Sequence, residues 1–185
     1  MATTISSPSS ASPTTNNANN AFANDGTNTD LFGHPVSDTT YSSFSSLSIP
    51  GGATINGIEV IIDASSNSST LETSVYNGTS WSSNKAANSL PGKFYSTVDP
   101  AWGSSSDLWG LSWDATTAAA IQLKFDWSTL SYARAVIGFD HIQIRVTYTE
   151  APSGYGHDVN SLASASISKI NSVATASIGK VNSVD

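Results

Sequence analysis

The sequence predicts an all-β protein, an antiparallel β-sandwich of jelly-roll type, on three observations. Residues 141–148 alternate apolar and polar side chains without a break. Asn77-Gly78 lies between two β-forming runs, the strongest short-range signal of a hairpin. Clusters of Gly, Pro and Asn at 50–52, 88–92 and 103–107 cut the middle of the chain into short runs, and no stretch of ten residues there has helical periodicity.

In chain order, residues 1–18 are almost wholly Ser, Thr, Ala, Pro and Asn, with one Ile and no aromatic. So little apolar surface would hardly offset about 1–2 kcal/mol of backbone entropy per residue, so this segment is expected to be a polar arm outside the fold. Residues 19–150, the expected sandwich, hold all five Trp and all six Phe. Within them Ile58, Val60 and Ile62 alternate with Glu59 and Asp63, while Ile121, Leu123, Phe125 and Trp127 alternate with Gln122, Lys124 and Asp126. Helix in this zone is limited to a turn or two at 114–120. The last strand, 136–148, places Ile142, Ile144, Val146 and Tyr148 on one buried face. Its apolar start, residues 135–139, predicts a central position, because an exposed edge of that composition invites aggregation.

Residues 151–158 read as a linker, and 159–185 as a tail with a period of eleven whose units start at Val159, Ile170 and Val181. An odd period would throw equivalent residues of a continuous strand to opposite faces. A helix of 3.67 residues per turn would gather Val159, Leu162, Ala163 and Ile167 on one stripe. Low-propensity Ser, Asn, Val and Ile oppose that helix, and nine-residue strands with turns at each Asn-Ser are the remaining alternative. Either stripe is thin, so the tail is expected to gain its order from a neighbouring subunit or another protein.

Composition narrows the chemistry. The 185 residues carry 7 Lys and Arg against 14 Asp and Glu, a net charge of −7. That balance makes the chain a poor ligand for a phosphate backbone, so no nucleic-acid partner is expected. Ser, Thr and Asn make up 68 residues while only 11% are charged, which suits extracellular or assembled proteins. There is no Cys, so disulfides, thiolate metal sites and cysteine nucleophiles are excluded. No apolar run is long enough to cross a membrane, and the first residues lack the basic and apolar regions of a secretory signal.

Neither G-x-S-x-G nor H-E-x-x-H occurs. His34, His141 and His157 fall in a loop, a strand and the linker, with no spacing that suggests convergence. Asp107 and Asp114 flank a Trp-rich stretch as a glycosidase pair could, but turn formation is the simpler role for both. Accordingly no enzyme activity and no cofactor are expected. For a metal, the candidate is a calcium loop formed by Asp25, Asn28 and Asp30 around Gly26, although Asx and Gly are also ordinary turn residues. Sequons at Asn67 and Asn77 matter only in a secretory context. Trp102, Trp109 and Trp113 form the densest aromatic cluster, either a sugar-stacking platform or core residues with Trp109 and Trp113 plugging the open end of the sandwich; core or plug is favoured.

Four blocks carry a resemblance. Asn20-Ala21-Phe22-Ala23-Asn24-Asp25-Gly26 is followed by Ile49-Pro50-Gly51-Gly52-Ala53-Thr54-Ile55-Asn56-Gly57-Ile58-Glu59-Val60. Next come Asp107-Leu108-Trp109-Gly110-Leu111-Ser112-Trp113 and Asp140-His141-Ile142-Gln143-Ile144-Arg145-Val146-Thr147-Tyr148. Together they resemble a β-sandwich family of structural proteins in tailed bacteriophages. The tail stretch Lys169-Ile170-Asn171-Ser172-Val173-Ala174-Thr175-Ala176-Ser177-Ile178 is similar to a repeat of phage virion proteins, with Ser172 and Ser183 where that repeat has Gly. The resemblance implies a virion part made in the host cytoplasm and released by lysis. It would be a capsid decoration (cement) protein or a head or collar fibre subunit, binding other virion proteins or copies of itself. A host-recognition module that binds glycan is the alternative.

Overall fold

Alternation in the sequence becomes two antiparallel sheets in the computed structural model, which describes residues 1–29, 38–66, 70–127, 137–151, 169–170 and 173–174. The elements of the first 150 residues are β1 (Ala2–Ser6), β2 (Ser10–Ser12), a 3-10 helix (Thr15–Ala21), β3 (Thr39–Ser42), β4 (Thr54–Ser66) and β5 (Glu72–Tyr76). They continue with β6 (Lys85–Ala86), β7 (Ser96–Ser104), α1 (Ala115–Ala119), β8 (Gln122–Asp126) and β9 (Ile137–Thr149). One sheet runs β1-β9-β4-β7 and the other β2-β3-β8-β5-β6, packed face to face as a sandwich. These orders establish the sandwich and not the finer jelly-roll type.

β4 and β9 form the backbone of the first sheet, paired from Thr54↔Thr149 to Ser66↔Ile137 with two register shifts. Their β-branched residues suit a pleated, buried surface. Ile58, Val60 and Ile62 from β4 and Ile142, Ile144 and Val146 from β9 are fully buried. At roughly 1.5–3 kcal/mol for each large side chain removed from water, these two strands supply much of the drive to fold. As the sequence predicts, β9 lies inside its sheet, between β1 and β4.

The second sheet answers with Tyr41, Val75, Leu123 and Phe125, all fully buried. Phe125 stacks on Phe139 of the first sheet at 4.8 Å and meets the edge of Trp102 at 5.4 Å. Among the described residues the one α-helix is the short turn expected at 114–120. It starts in a capping box, with Asp114 Oδ1 accepting from Thr117 N at 2.7 Å.

Residues 1–18 differ from expectation: they are built into the sandwich. All five residues of β1 pair with β9, from Ala2↔Tyr148 to Ser6↔Ile144, and β2 pairs with β3. Ala11 and Ala18 enter the core. Thr4 Oγ1 and Ser6 Oγ accept hydrogen bonds from Ser48 N and Ser46 N, at 3.3 and 3.1 Å. The reason lies in the backbone. A Ser- and Thr-rich strand has little to bury, yet on an open strand edge it satisfies its own peptide groups and those of its neighbour.

Residues 1–150 form one compact unit and 151–185 another. In the second, β10 (Lys169–Ile170) and β11 (Val173–Ala174) pair antiparallel, Ile170 opposite Val173. That pairing is not compatible with a continuous helix through these four residues, and the described strands are two residues long and not nine. The rest of the repeats, and residues 152–158 of the linker, lie outside the described residues.

Candidate functional site

The tryptophan cluster is assembled by one close approach. Gly103 takes φ +73° beside β4, where a Cβ would stand 2.2 Å from the Ile58 carbonyl oxygen. That bend lets the segment after β7 fold back, so that Ile58 N donates to Asp107 O at 2.9 Å. Trp109 Nε1 donates to Ile58 O at 2.9 Å, and Asp107 Oδ1 accepts from Trp109 N at 2.8 Å. Lys85 pairs with Asp107 and lies 5.1 Å from the Trp109 ring centre. Trp102 is fully buried and Trp109 is 2% exposed. Trp113 is half-buried, its Nε1 donating to Leu108 O at 2.9 Å. Trp102 and Trp109 thus offer no ring face to a sugar; the sugar platform considered for Trp102, Trp109 and Trp113 gives way to the core or plug reading. The two carboxylates of the imagined glycosidase pair are both occupied in local structure, Asp107 beside Trp109 and Asp114 at the start of α1.

The calcium candidate is likewise occupied by the protein. Asp140, on β9, is buried, and its Oδ1 accepts from Gly26 N at 3.0 Å and Asp25 N at 3.3 Å. Asp25 Oδ1 accepts from Thr27 N at 2.8 Å, and the Asn28 carbonyl accepts from Asn20 Nδ2 at 2.8 Å. Thr29 closes the strap by exchanging hydrogen bonds with the Phe139 backbone. The backbone N–H groups of Asp25 and Gly26, with Thr29, therefore tie this loop to β9, and Asp30 lies outside the described residues. Among the described residues no group of three or more His, Asp or Glu could hold a metal ion. Of the sequons, Asn77 is buried in its turn, and residues 67–69 lie outside the described residues.

On the outer face of the first sheet, Arg145 holds three carboxylate contacts. Its Nε donates to Glu59 Oε2 at 2.8 Å, and its two terminal nitrogens donate to Asp99 at 2.9 and 2.6 Å. These bonds raise the Arg145 pKa further and allow Glu59 to sit buried. Beside this clamp, Asn24, Asp63, Thr97, His141 and Gln143 line a shallow cavity of about 110 Å³. His141 Nε2 and Ser7 Oγ are 2.7 Å apart. Desolvation lowers the His141 pKa, and the charges of Asp140 and Asp63 partly oppose it. His34 and His157 lie outside the described residues.

The outer face of the second sheet carries residues that sequence reasoning passed over. Tyr76 pairs with Trp81 across the Asn77-Gly78 turn, and their rings lie 5.2 Å apart with a 37° tilt. Trp81 is 38% exposed, and Lys124 Nζ stands 5.0 Å from its ring centre. Asp126, two residues along β8 from Lys124, accepts from Asn84 Nδ2 at 2.7 Å. A signal for this surface was present: Val75 faces the core, so Tyr76 faces out, and its hairpin partner shares that side. Comparison with protein-family models, with curated proteins and with solved structures finds no match.

Proposed function

We propose that this protein is a non-enzymatic part of a bacteriophage particle, a capsid decoration protein or a head or collar fibre subunit, that acts by binding other particle proteins or copies of itself. The observation that carries this reading is the division of labour in the chain. A 150-residue sandwich is followed by a second unit of eleven-residue repeats, in which β10 and β11 pair with each other. A stiff body supplies shape, and a repetitive segment with little to bury by itself gains contact area on a neighbour. The resemblance to phage structural proteins agrees with that division. So does the use of Asp107, Asp114 and Asp140 as turn, cap and strap residues.

Mass spectrometry and cross-linking of purified particles from a producing host test the proposal. Cross-links from the 159–185 segment to the major capsid protein, or to a second copy within a fibre, are the expected result. Absence of the chain from purified particles would overturn it. Cross-links confined to the distal tail fibres would move the protein to the host-recognition class.

A further inference from the structure

The aromatic pair on the outer face of the second sheet, half-buried Tyr76 with exposed Trp81, has the features of a small binding site. Its two rings are held by a stiff turn. Asn77 Oδ1 accepts from Thr79 N and Ser80 N at 3.0 and 2.9 Å, and Asn77 Nδ2 donates to Ser112 O at 3.1 Å. Gly78 supplies the positive φ of +87° that the reversal needs. The Tyr76↔Trp81 bridge then fixes both rings on the outer side of the sheet. Side chains fixed in this way lose little entropy when something settles on them.

The neighbours of the rings decide the chemistry of the occupant. Lys124 stands against the indole, and Asn84 and Asp126 are joined beside it. Glu72 and Gln122 continue the same pleat, so this face offers donors and acceptors around two rings and not an apolar field. A protein hot spot sits at the centre of an apolar patch with a polar rim farther out. Two rings with a polar frame at once around them match a sugar instead. The C–H groups on one side of a pyranose lie on the part of the indole that Tyr76 and Lys124 leave open, while its hydroxyls reach the framing amide, carboxylate and ammonium. A chain of net charge −7 disfavours an acidic polymer, which narrows the occupant to a neutral saccharide.

We propose that the Tyr76–Trp81 platform, framed by Lys124, Asp126 and Asn84, binds one or two units of a neutral saccharide. The site is separate from the buried Trp102–Trp109 plug. It also stands whether or not the chain is a decoration protein.

The test uses the full chain on an array of neutral hexose and N-acetylhexosamine oligosaccharides with acidic ones alongside. Retention on at least one neutral oligosaccharide is expected. Trp81→Ala should weaken it by about tenfold or more, the equivalent of losing about 1.4 kcal/mol of contact. Trp81→Phe should keep part of the affinity, and Asn84→Ala should weaken it without touching the rings, which covers the event that Trp81→Ala misfolds. No retention on any neutral oligosaccharide at millimolar concentration, or unchanged retention by Trp81→Ala, would overturn the proposal. So would a Trp81→Phe variant that loses attachment to particles while the parent chain shows no sugar binding, since that outcome makes this face a protein contact.

Discussion

Replacing Trp109 separates a plug from a platform. The side chain is 2% exposed, and its Nε1 donates to the Ile58 carbonyl of the central strand β4. Trp109→Ala should therefore cost about 3–5 kcal/mol, the range for deleting a buried indole. At about 2–4 °C per kcal/mol for a domain of this size, the midpoint should fall by about 6–20 °C. Trp109→Phe keeps most of the apolar contact but removes the donor to Ile58 O. Its cost should be about 1–3 kcal/mol, the penalty for a buried acceptor left without its partner. Urea denaturation of the parent and both variants, followed by far-ultraviolet circular dichroism, measures these differences. The order parent, Phe, Ala should appear in the urea midpoints with unchanged slope. A Trp109→Ala variant within about 1 kcal/mol of the parent would refute the plug, since a buried ring of this size cannot be deleted so cheaply.

Three further expectations follow from the sandwich. Deleting residues 2–6 removes every pairing of β1 with β9, so at about 0.5–1.5 kcal/mol per hydrogen bond the domain should lose a few kcal/mol; an unchanged melting midpoint would return the segment to the role of a free arm. Ile144→Ala, at a fully buried position of a central strand, should cost about 2–5 kcal/mol in the same urea assay, and a cost under about 1 kcal/mol would break the assignment of faces. The lowered His141 pKa means that the unfolded chain takes up the proton first. The stability it contributes is full above the ordinary value of 6.5 and is lost as pH falls from there toward the lowered value of the folded state. Urea midpoints measured across this range should decline, and His141→Gln should flatten the decline.

The parts of the fold that were legible in the sequence are those where side chains must choose between oil and water. β4, β8 and β9 announce themselves through Ile58-Glu59-Val60, Leu123-Lys124-Phe125 and Ile142-Gln143-Ile144, because a period of two has one buried solution. β1 carries no such choice. Thr3, Thr4 and Ser6 are recruited by the peptide groups of β9, and the partner strand lies more than a hundred residues away. The same distance hides the strap, since nothing near Asp25 indicates that Asp140 will accept its backbone hydrogen bonds. For the aromatic residues, counting located the core and not the surface. Density along the chain singled out Trp102, Trp109 and Trp113, yet exposure depends on parity within a hairpin. Trp81, isolated in sequence, emerges on the outside because it pairs with Tyr76.

The pairing of Ala2 with Tyr148 has a consequence for the order of events during synthesis. The first strand of the sandwich to leave the ribosome takes its place only against the last one. Until β9 has emerged, β4 also lacks its main partner, although its own apolar residues are already exposed. Closing so long a loop is entropically slow, and sheets dominated by distant pairings fold over milliseconds to seconds. The nascent chain thus spends its synthesis with β4 paired at most to β7, and completion of the sheet waits for β9. A ribosome stalled a few residues before 137 should hold a protease-sensitive chain. One stalled far enough past 150 for β9 to clear the exit tunnel should hold a resistant one.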